Sequence, residues 1–451
     1  MSLRTQGGRL APNHDGRVKA GAAHRVSAGK DTLRAPERST TSGRGRKSAS
    51  PPPNPAGSEF YAPASGKNSN LTAAKSTKND EFYTRWADIE REMNAYLEYD
   101  PNVFRDKILL LPCDDPEWSN FAKFFALHFT DFGIKKLVST SYAPDSKPPS
   151  IPYQPTLFES GNPKFDATKT RRNGKKFVLE PKDVNGDGAV NIEDLQWEYL
   201  EGDGDFRSEE VIALRDAADM VITNPPFSLF REFVAWLVAG DVEFSVIGTR
   251  SALTYKEVFP LVRDGLVWLG KGFAKGDAYF GVPATTTKAD YATGVFDDET
   301  RLVHFRNATW FTNLEHGRRH EPMDLMTMAD NLRYSRHKEI RELGYRKYDN
   351  FDAIEVPFVD AIPSDYDGMM GVPVTFLDRY NPDQFEVLFN ADDMDQTKAF
   401  GVKPLGEKRV ADYYAAGGTG GNSKGHRKLF LYSPRPWVPF KRIVIRRRSV
   451  S

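Results

Sequence analysis

One short stretch restricts what this chain can fold into more than any other: Val221-Ile222-Thr223-Asn224-Pro225-Pro226-Phe227. The apolar run that enters it reads as a buried strand of a parallel sheet, because strands covered on both faces lose the polar alternation. Beyond it, Ser228-Leu229-Phe230-Arg231-Glu232-Phe233-Val234-Ala235-Trp236-Leu237 places large apolar residues at helical spacing. The two prolines have no N–H to donate and hold φ, so they end the strand. Asn224 is thereby set at the carboxyl end of a strand and just ahead of a helix, where open α/β sheets take their ligands.

The residue types at this point suit a planar amine. The Asn224 side-chain oxygen and the Pro225 carbonyl are both acceptors. Aimed at one NH2 group, they hold both hydrogens and turn the nitrogen lone pair out of conjugation. Phe227 offers an apolar face on which a base ring can stack. Asparagine is also a common turn former, so the four residues by themselves equally describe a Pro-Pro turn after a buried strand.

The rest of the chain repeats the strand-and-helix theme. Residues 88–99 have helical spacing, with Ile89, Met93, Tyr96 and Leu97 on one face. Ile108-Leu109-Leu110-Leu111 reads as a buried strand with Cys113-Asp114-Asp115 as its carboxyl-end loop. A helix is expected over 119–129 and a strand over 135–142. This order is a βαβ unit and implies a parallel sheet. Further strands are expected at 244–249, 266–270, 301–305 and 308–313, with a helix at 255–261. That makes about seven strands and an α/β fold. Asp114 and Asp115 are placed to meet the hydroxyls or amine of a small cofactor, although loop and cap roles are commoner for such residues. Asp205 before Phe206 can pair an adenine amine and stack its ring, or cap the next helix.

The charge distribution sets the ends apart. Residues 1–75 carry 13 Lys/Arg against 4 Asp/Glu, although the whole chain is neutral with 62 of each. With Pro51-Pro52-Pro53 and few large apolar residues, residues 1–76 read as a disordered basic tail. Residues 426–451 hold eight Lys/Arg and no acid, interleaved with Phe430, Tyr432, Trp437 and Phe440. The pattern at 441–448 reads as a strand with a basic end, suited to phosphate contacts or to blunting a sheet edge. A single cysteine, Cys113, excludes a disulfide framework and points to a reducing, cytoplasmic setting. No apolar run reaches the ~18 residues that a membrane span needs.

An insertion is expected over 143–203. Within it, residues 183–194 match a twelve-residue calcium loop. Asp183, Asn185, Asp187, Asn191 and Asp194 fall at ligand positions and Gly188 at the turn. A helix is expected to follow at 193–200. The same residues also describe a plain Asp/Asn/Gly turn, so structural calcium is one of two readings.

Several blocks, in order, resemble the EcoRI-type adenine-specific DNA methyltransferases. They are Asn-Asp-Glu-Phe-Tyr-Thr at 79–84, Cys-Asp-Asp-Pro-Glu-Trp-Ser-Asn-Phe at 113–121, and Gly-Asp-Phe-Arg-Ser-Glu-Glu at 204–210. Asn-Pro-Pro-Phe-Ser-Leu-Phe-Arg-Glu at 224–232, Tyr-Lys-Glu-Val-Phe-Pro-Leu at 255–261 and Trp-Phe-Thr-Asn-Leu at 310–314 complete the set. The resemblance covers roughly 79–450. It implies a Rossmann-like methyltransferase fold over 77–320, with the insertion and a C-terminal extension at 321–451 for DNA recognition or an accessory role. It implies S-adenosylmethionine as methyl donor and the 6-amino group of a flipped adenine in duplex DNA as acceptor.

Residue by residue, the resemblance assigns Phe82 and Tyr83 to closure over the methionine part of the donor. Asp114 and Asp115 stand at the cofactor loop, and Asp205 and Phe206 on the adenine side. Asn224, Pro225, Pro226 and Phe227 are catalytic. The family pattern is departed from in two places: there is no Gly-x-Gly loop, and no acidic residue ends the 135–142 strand. Two alternatives remain. The Asn-Pro-Pro-Phe motif also serves RNA-adenine and protein-glutamine amide methylation, and 183–194 is open to use as a non-catalytic calcium-dependent binding module. The oligomeric state is not legible.

Overall fold

The computed structural model describes residues 82–143, 160–282, 287, 291 and 294–448. The expected basic tail, 1–76, lies outside them. The chain opens with strand β1 (Tyr83–Thr84) and helix α1 (Trp86–Tyr99), followed by β2 (Ile108–Leu111), α2 (Asn120–Leu127) and β3 (Lys136–Ser141). Next come β4 (Lys175–Leu179), β5 (Gln196–Tyr199), α3 (Glu209–Asp216), β6 (Met220–Thr223), α4 (Phe230–Ala239) and β7 (Glu243–Thr249). Helix α5 (Phe259–Arg263) leads to β8 (Trp268–Leu269), β9 (Ala278–Gly281), β10 (Phe296–Asp297), β11 (Leu302–Phe305) and β12 (Ala308–Thr312). The last strands are β13 (Ile354–Glu355), β14 (Met370–Pro373), β15 (Phe385–Asn390) and β16 (Arg442–Arg447).

Eight strands make the central sheet, in the order β5-β4-β3-β2-β6-β7-β12-β8. β2 pairs in parallel with β3 and β6, and β6 with β7. The flanking pairs, β3–β4, β4–β5, β7–β12 and β12–β8, are antiparallel. The expected parallel sheet is therefore its four-strand centre only. The chain steps outward from β2 to β3, then returns and steps the other way from β6 to β7. The winding reverses between β2 and β6, which is where open α/β sheets leave a crevice at their carboxyl ends.

Strand alternation divides the core between two faces. Leu109, Leu111, Leu137, Met220, Ile222 and Ile247 meet Ile89 and Met93 of α1 and Phe121 and Phe125 of α2. Leu110, Val138, Val221 and Val246 meet Val211 of α3 and Phe233 and Leu237 of α4. A four-stranded sheet, β13-β14-β16-β15, shares this second core through Met370, Val387 and Ile443. A third sheet, β1-β9-β11-β10, turns Phe280, Val303 and Phe305 into the first core.

Two expectations fail on local grounds. Residues 193–200 are not a helix: Ile192–Asp194 is one 3-10 turn and 196–199 is β5. Trp197 is buried between exposed Gln196 and Glu198, and that period of two marks a strand. The helix expected at 255–261 begins only at Phe259, after a 3-10 turn at Arg250–Thr254. The expected 301–305 strand forms as β11, in the small β1-β9-β11-β10 sheet.

The basic C-terminal strand is also differently used. β16 lies between β14 and β15 and is not an edge. Arg442 is buried and forks onto Glu355 at 2.6 Å, while Arg446 pairs with Glu386. Arg442 is thus committed to a carboxylate inside the fold and is removed from the phosphate contacts expected of it, whereas the Arg446 pair lies at the surface. No helix among the described residues is long and apolar enough to cross a membrane.

Candidate active site

Three loops meet at the carboxyl rim of the parallel strands. Residues 113–115 follow β2, 224–227 follow β6, and 203–207 close against the end of β3. Ala143 N donates to the Asp203 carbonyl at 2.7 Å. Gly204 has φ +85°, and a Cβ there would collide with the Ser141 carbonyl oxygen, so only glycine lets this loop come so close. Burial pushes the Cys113 thiol up, and the charges of Asp114 and Asp205 both act on it in the same sense. The first and third loops are thus electrostatic neighbours.

Asn224 has one end of its amide fixed and the other free. Its Nδ2 donates to the Phe82 carbonyl at 2.8 Å. Its Oδ1 is buried and has no hydrogen-bond partner. A buried acceptor without a donor costs roughly 1–3 kcal/mol, so an unspent acceptor here is poised for a ligand donor. Pro225 is buried and Pro226 half-buried. The Asn120 amide donates to the Thr84 carbonyl at 2.7 Å, so two asparagines hold the β1 segment across the rim.

Phe227 differs from the expectation of an open stacking face. It is only 5% exposed, and Phe82 stacks on it with centroids 5.8 Å apart and planes 24° apart. Phe280 and Phe305 close its edges. The ring roots the motif in an aromatic cluster, and Phe82 holds the face that a base was expected to take. Tyr83 extends β1 by pairing with Gly281.

Asp114 braces the crevice between β2 and β6. Its Oδ1 accepts from Ser119 Oγ at 2.5 Å and its Oδ2 from Thr223 Oγ1 at 2.6 Å. Ser119 in turn caps α2 by accepting from Phe121 N at 3.0 Å. Burial raises the Asp114 carboxyl to about 6, with the two hydroxyls opposing the rise. Both oxygens therefore serve the protein, and Thr223 is the residue before Asn224. Asp115 shapes the following turn, its Oδ1 accepting from Glu117 N at 3.0 Å.

Asp205 faces Arg207, whose hydrogen bonds hold its carboxyl below the usual range. Phe206 is buried, edge-on to Phe233 and Trp236 of α4, so its ring is a core contact rather than an open stacking surface. Sequence reasoning missed Ser139 and Thr140. Both hydroxyls are buried and unpartnered near the carboxyl end of β3, where an acidic residue was looked for and not found. The signal was present as a Ser-Thr-Ser run closing an otherwise apolar strand. Ser139 and Thr140 lie on opposite faces of β3, so one of the two, together with Asn224 Oδ1, is open to the hydroxyl and amine donors of a ligand at the rim.

The calcium reading of 183–194 is not supported. Asp183 accepts from the Gly186 and Gly188 amides at 2.5 and 2.8 Å, and Asn185 Oδ1 from Asp187 N at 2.9 Å. Asp187 accepts from Ala189 N at 2.9 Å and Asn191 from Glu193 N at 2.8 Å. Asp194 accepts from the Asn191, Val184 and Asn185 amides, which hold its carboxyl below the usual range. Each side chain expected to bind calcium closes a backbone turn. No group of three or more His, Cys, Asp or Glu side chains among the described residues is arranged to hold a metal.

A family model described as adenine-specific methyltransferase EcoRI matches residues 70–448. Type II methyltransferase M.EcoRI of Escherichia coli is 38% identical over 321 residues, which is 71% of this chain and 89% of that protein. Type II methyltransferase M.MpnI of Mycoplasma pneumoniae is 34% identical over 317 residues, 70% of this chain and 83% of that protein. Type II methyltransferase M.MgeORF184P of Mycoplasma genitalium is 31% identical over 328 residues, 71% and 85% of the two chains. No solved structure matches the chain significantly. The family match spans the described residues and takes in all three rim loops: this chain belongs to the EcoRI family of adenine-specific methyltransferases.

Proposed function

We propose that this adenine-specific DNA methyltransferase acts on the 6-amino group of an adenine turned out of duplex DNA, with Asn224 and the Pro225 carbonyl as the groups that hold the amine. The observation that carries this is the buried Asn224 Oδ1 without a partner, beside an Nδ2 already anchored on Phe82. The anchor sets which end of the amide is offered, so the reacting amine meets an acceptor and not a second donor. Holding both N–H bonds in this way turns the nitrogen lone pair out of the ring's π system. The amine must leave the stack to be reached. Phe227 supports the motif from beneath, in a cluster with Phe82, Phe280 and Phe305.

S-adenosylmethionine, when bound, supplies the electrophilic methyl group. We read the central sheet as a Rossmann-like methyltransferase sheet, supported by the winding reversal between β2 and β6. β4 and β5 come from the insertion, and the sheet β13-β14-β16-β15 belongs to the C-terminal extension, which we assign to DNA recognition or an accessory role. Asp205 is the acceptor for the donor's adenine amine, and one hydroxyl at the end of β3, Ser139 or Thr140 on the opposite face, meets its ribose in place of the missing acid. Asp114 keeps the two strand ends in register. Most of the rate then comes from orientation and fixed dipoles.

The test is to incubate the enzyme and methyl-labelled S-adenosylmethionine with duplex DNA, with RNA and with protein, then digest and identify the labelled product. N6-methyladenine from the duplex is expected. Label confined to RNA adenine or to glutamine amide would move the motif to another substrate.

A further inference from the structure

The loop that carries Asp205 is fastened to the helix following the catalytic motif by a residue with no role in the account above. Arg207 forks onto Asp205: Nε donates to Oδ1 at 2.9 Å and Nη2 to Oδ2 at 2.6 Å. Its backbone amide also donates to Asp205 Oδ1, at 2.8 Å. Its remaining arm, Nη1, donates to Glu232 Oε2 at 2.7 Å, and Glu232 lies in the first turn of α4. The guanidinium lies 5.4 Å from the Phe206 ring centroid, and that ring is wedged against Phe233 and Trp236 of the same helix. The loop therefore grips α4 twice, once through an aromatic wedge and once through an ion bridge. On its other side Gly204 lies against the β3 end.

We propose that Arg207 is a positioning residue for the methyl donor: its guanidinium fixes the Asp205 carboxylate for the donor's adenine amine and ties that loop to the helix behind Asn224. This rests on Asp205 being the acceptor for that amine. A carboxylate oxygen has two acceptor directions, so Arg207 fills Oδ1 with two donors and leaves one direction of Oδ2 open for the amine. It also favours the charged form, which is the form that accepts from an NH2 group. Lysine offers a point charge and no fork, so it cannot hold both oxygens at once. The bridge is partly exposed, with the Arg207 side chain at 49%, so salt should weaken it.

The experiment uses the full chain with S-adenosylmethionine and duplex DNA, and compares wild type with Arg207→Ala, Arg207→Lys and Asp205→Ala. Cofactor dissociation constants, KM, kcat and melting temperatures are measured at low and high salt. Arg207→Ala is expected to raise the cofactor dissociation constant and KM about tenfold, the scale of losing a charge-assisted pair. Its kcat at saturating cofactor should fall much less, and Arg207→Lys should lie between it and wild type. High salt should narrow the gap between Arg207→Ala and wild type. If Arg207→Ala fails to fold, the lysine variant carries the same split. Cofactor binding unchanged in Arg207→Ala and Arg207→Lys but weakened in Asp205→Ala would overturn the proposal and leave the Asp205 assignment standing. Binding unchanged in all three would overturn that assignment as well. A proportional loss of kcat and melting temperature without a KM effect would make Arg207 a structural strut only.

Discussion

Replacing Asp114 by asparagine turns its buried carboxylate into a measurable quantity. The side chain is 5% exposed, and its carboxyl is raised from 3.8 to about 6, chiefly by burial. A folded-state value above the unfolded one means that the native chain binds the proton more tightly. This site therefore favours folding most below pH 3.8, and that contribution is lost as the pH rises toward 6. The span from 3.8 to about 6 corresponds to roughly 3 kcal/mol at neutral pH. The substituted amide would carry no such charge. Its oxygen can accept from one hydroxyl and its NH2 can donate to the other, so the brace to Ser119 and Thr223 survives in outline. Urea unfolding of both proteins from about pH 4 to about pH 7 reads the difference directly. The stability of Asp114→Asn relative to wild type should rise by about 2 kcal/mol across that window, most of it below about pH 6. A difference that is flat with pH would refute the buried-charge reasoning.

Other expectations follow from the same contacts. Thr223→Val keeps the volume but removes the donor to Asp114, leaving a buried acceptor short; unfolding should cost about 1–3 kcal/mol and kcat should fall, while Thr223→Ser restores both. One of Ser139→Ala and Thr140→Val, which lie on opposite faces of β3, should raise the KM for S-adenosylmethionine, with little change in melting temperature for either, since neither hydroxyl has a protein partner to lose; a KM unchanged in both would exclude them from the donor site. Gly248→Ala would drive a methyl group into the Phe230 ring beneath the motif and should lower the melting temperature by several degrees; a neutral substitution would contradict the packing described. Calcium at millimolar concentration, or its chelation, should leave the melting temperature unchanged; a rise abolished by Asp183→Ala would reinstate the calcium loop.

The sequence carried the proposed catalytic segment as a strand, double proline and helix because the three are contiguous. Its partners are not contiguous. The Phe82 carbonyl lies 142 residues from Asn224, and Asp114 lies 109 from Thr223. No local pattern announces that Asn224 is half spent or that Asp114 is a brace. The same holds for Arg442, whose acid is 87 residues away at Glu355; this one base of the C-terminal run looked free because its counter-charge was out of sight. β5 was misread because its four residues carry one buried Trp197 and polar neighbours, a signal too short to outweigh the acidic start of an apparent helix. The 183–194 loop shows the limit of spacing as an argument. Asx side chains at alternate positions can ligate a cation or close their own turns, and here the bonds shown are the second kind.

The central claim is that Asn224 acts on the amine rather than on the fold or the donor. The most direct measurement is the single-turnover rate of methyl transfer to duplex DNA from cells lacking adenine methylation, for wild type and Asn224→Ala. Cofactor affinity and melting temperature are measured on the same samples. The account predicts a rate lower by about a hundredfold or more, with cofactor affinity within a few-fold of wild type and the fold intact. Transfer at a near wild-type rate would contradict it.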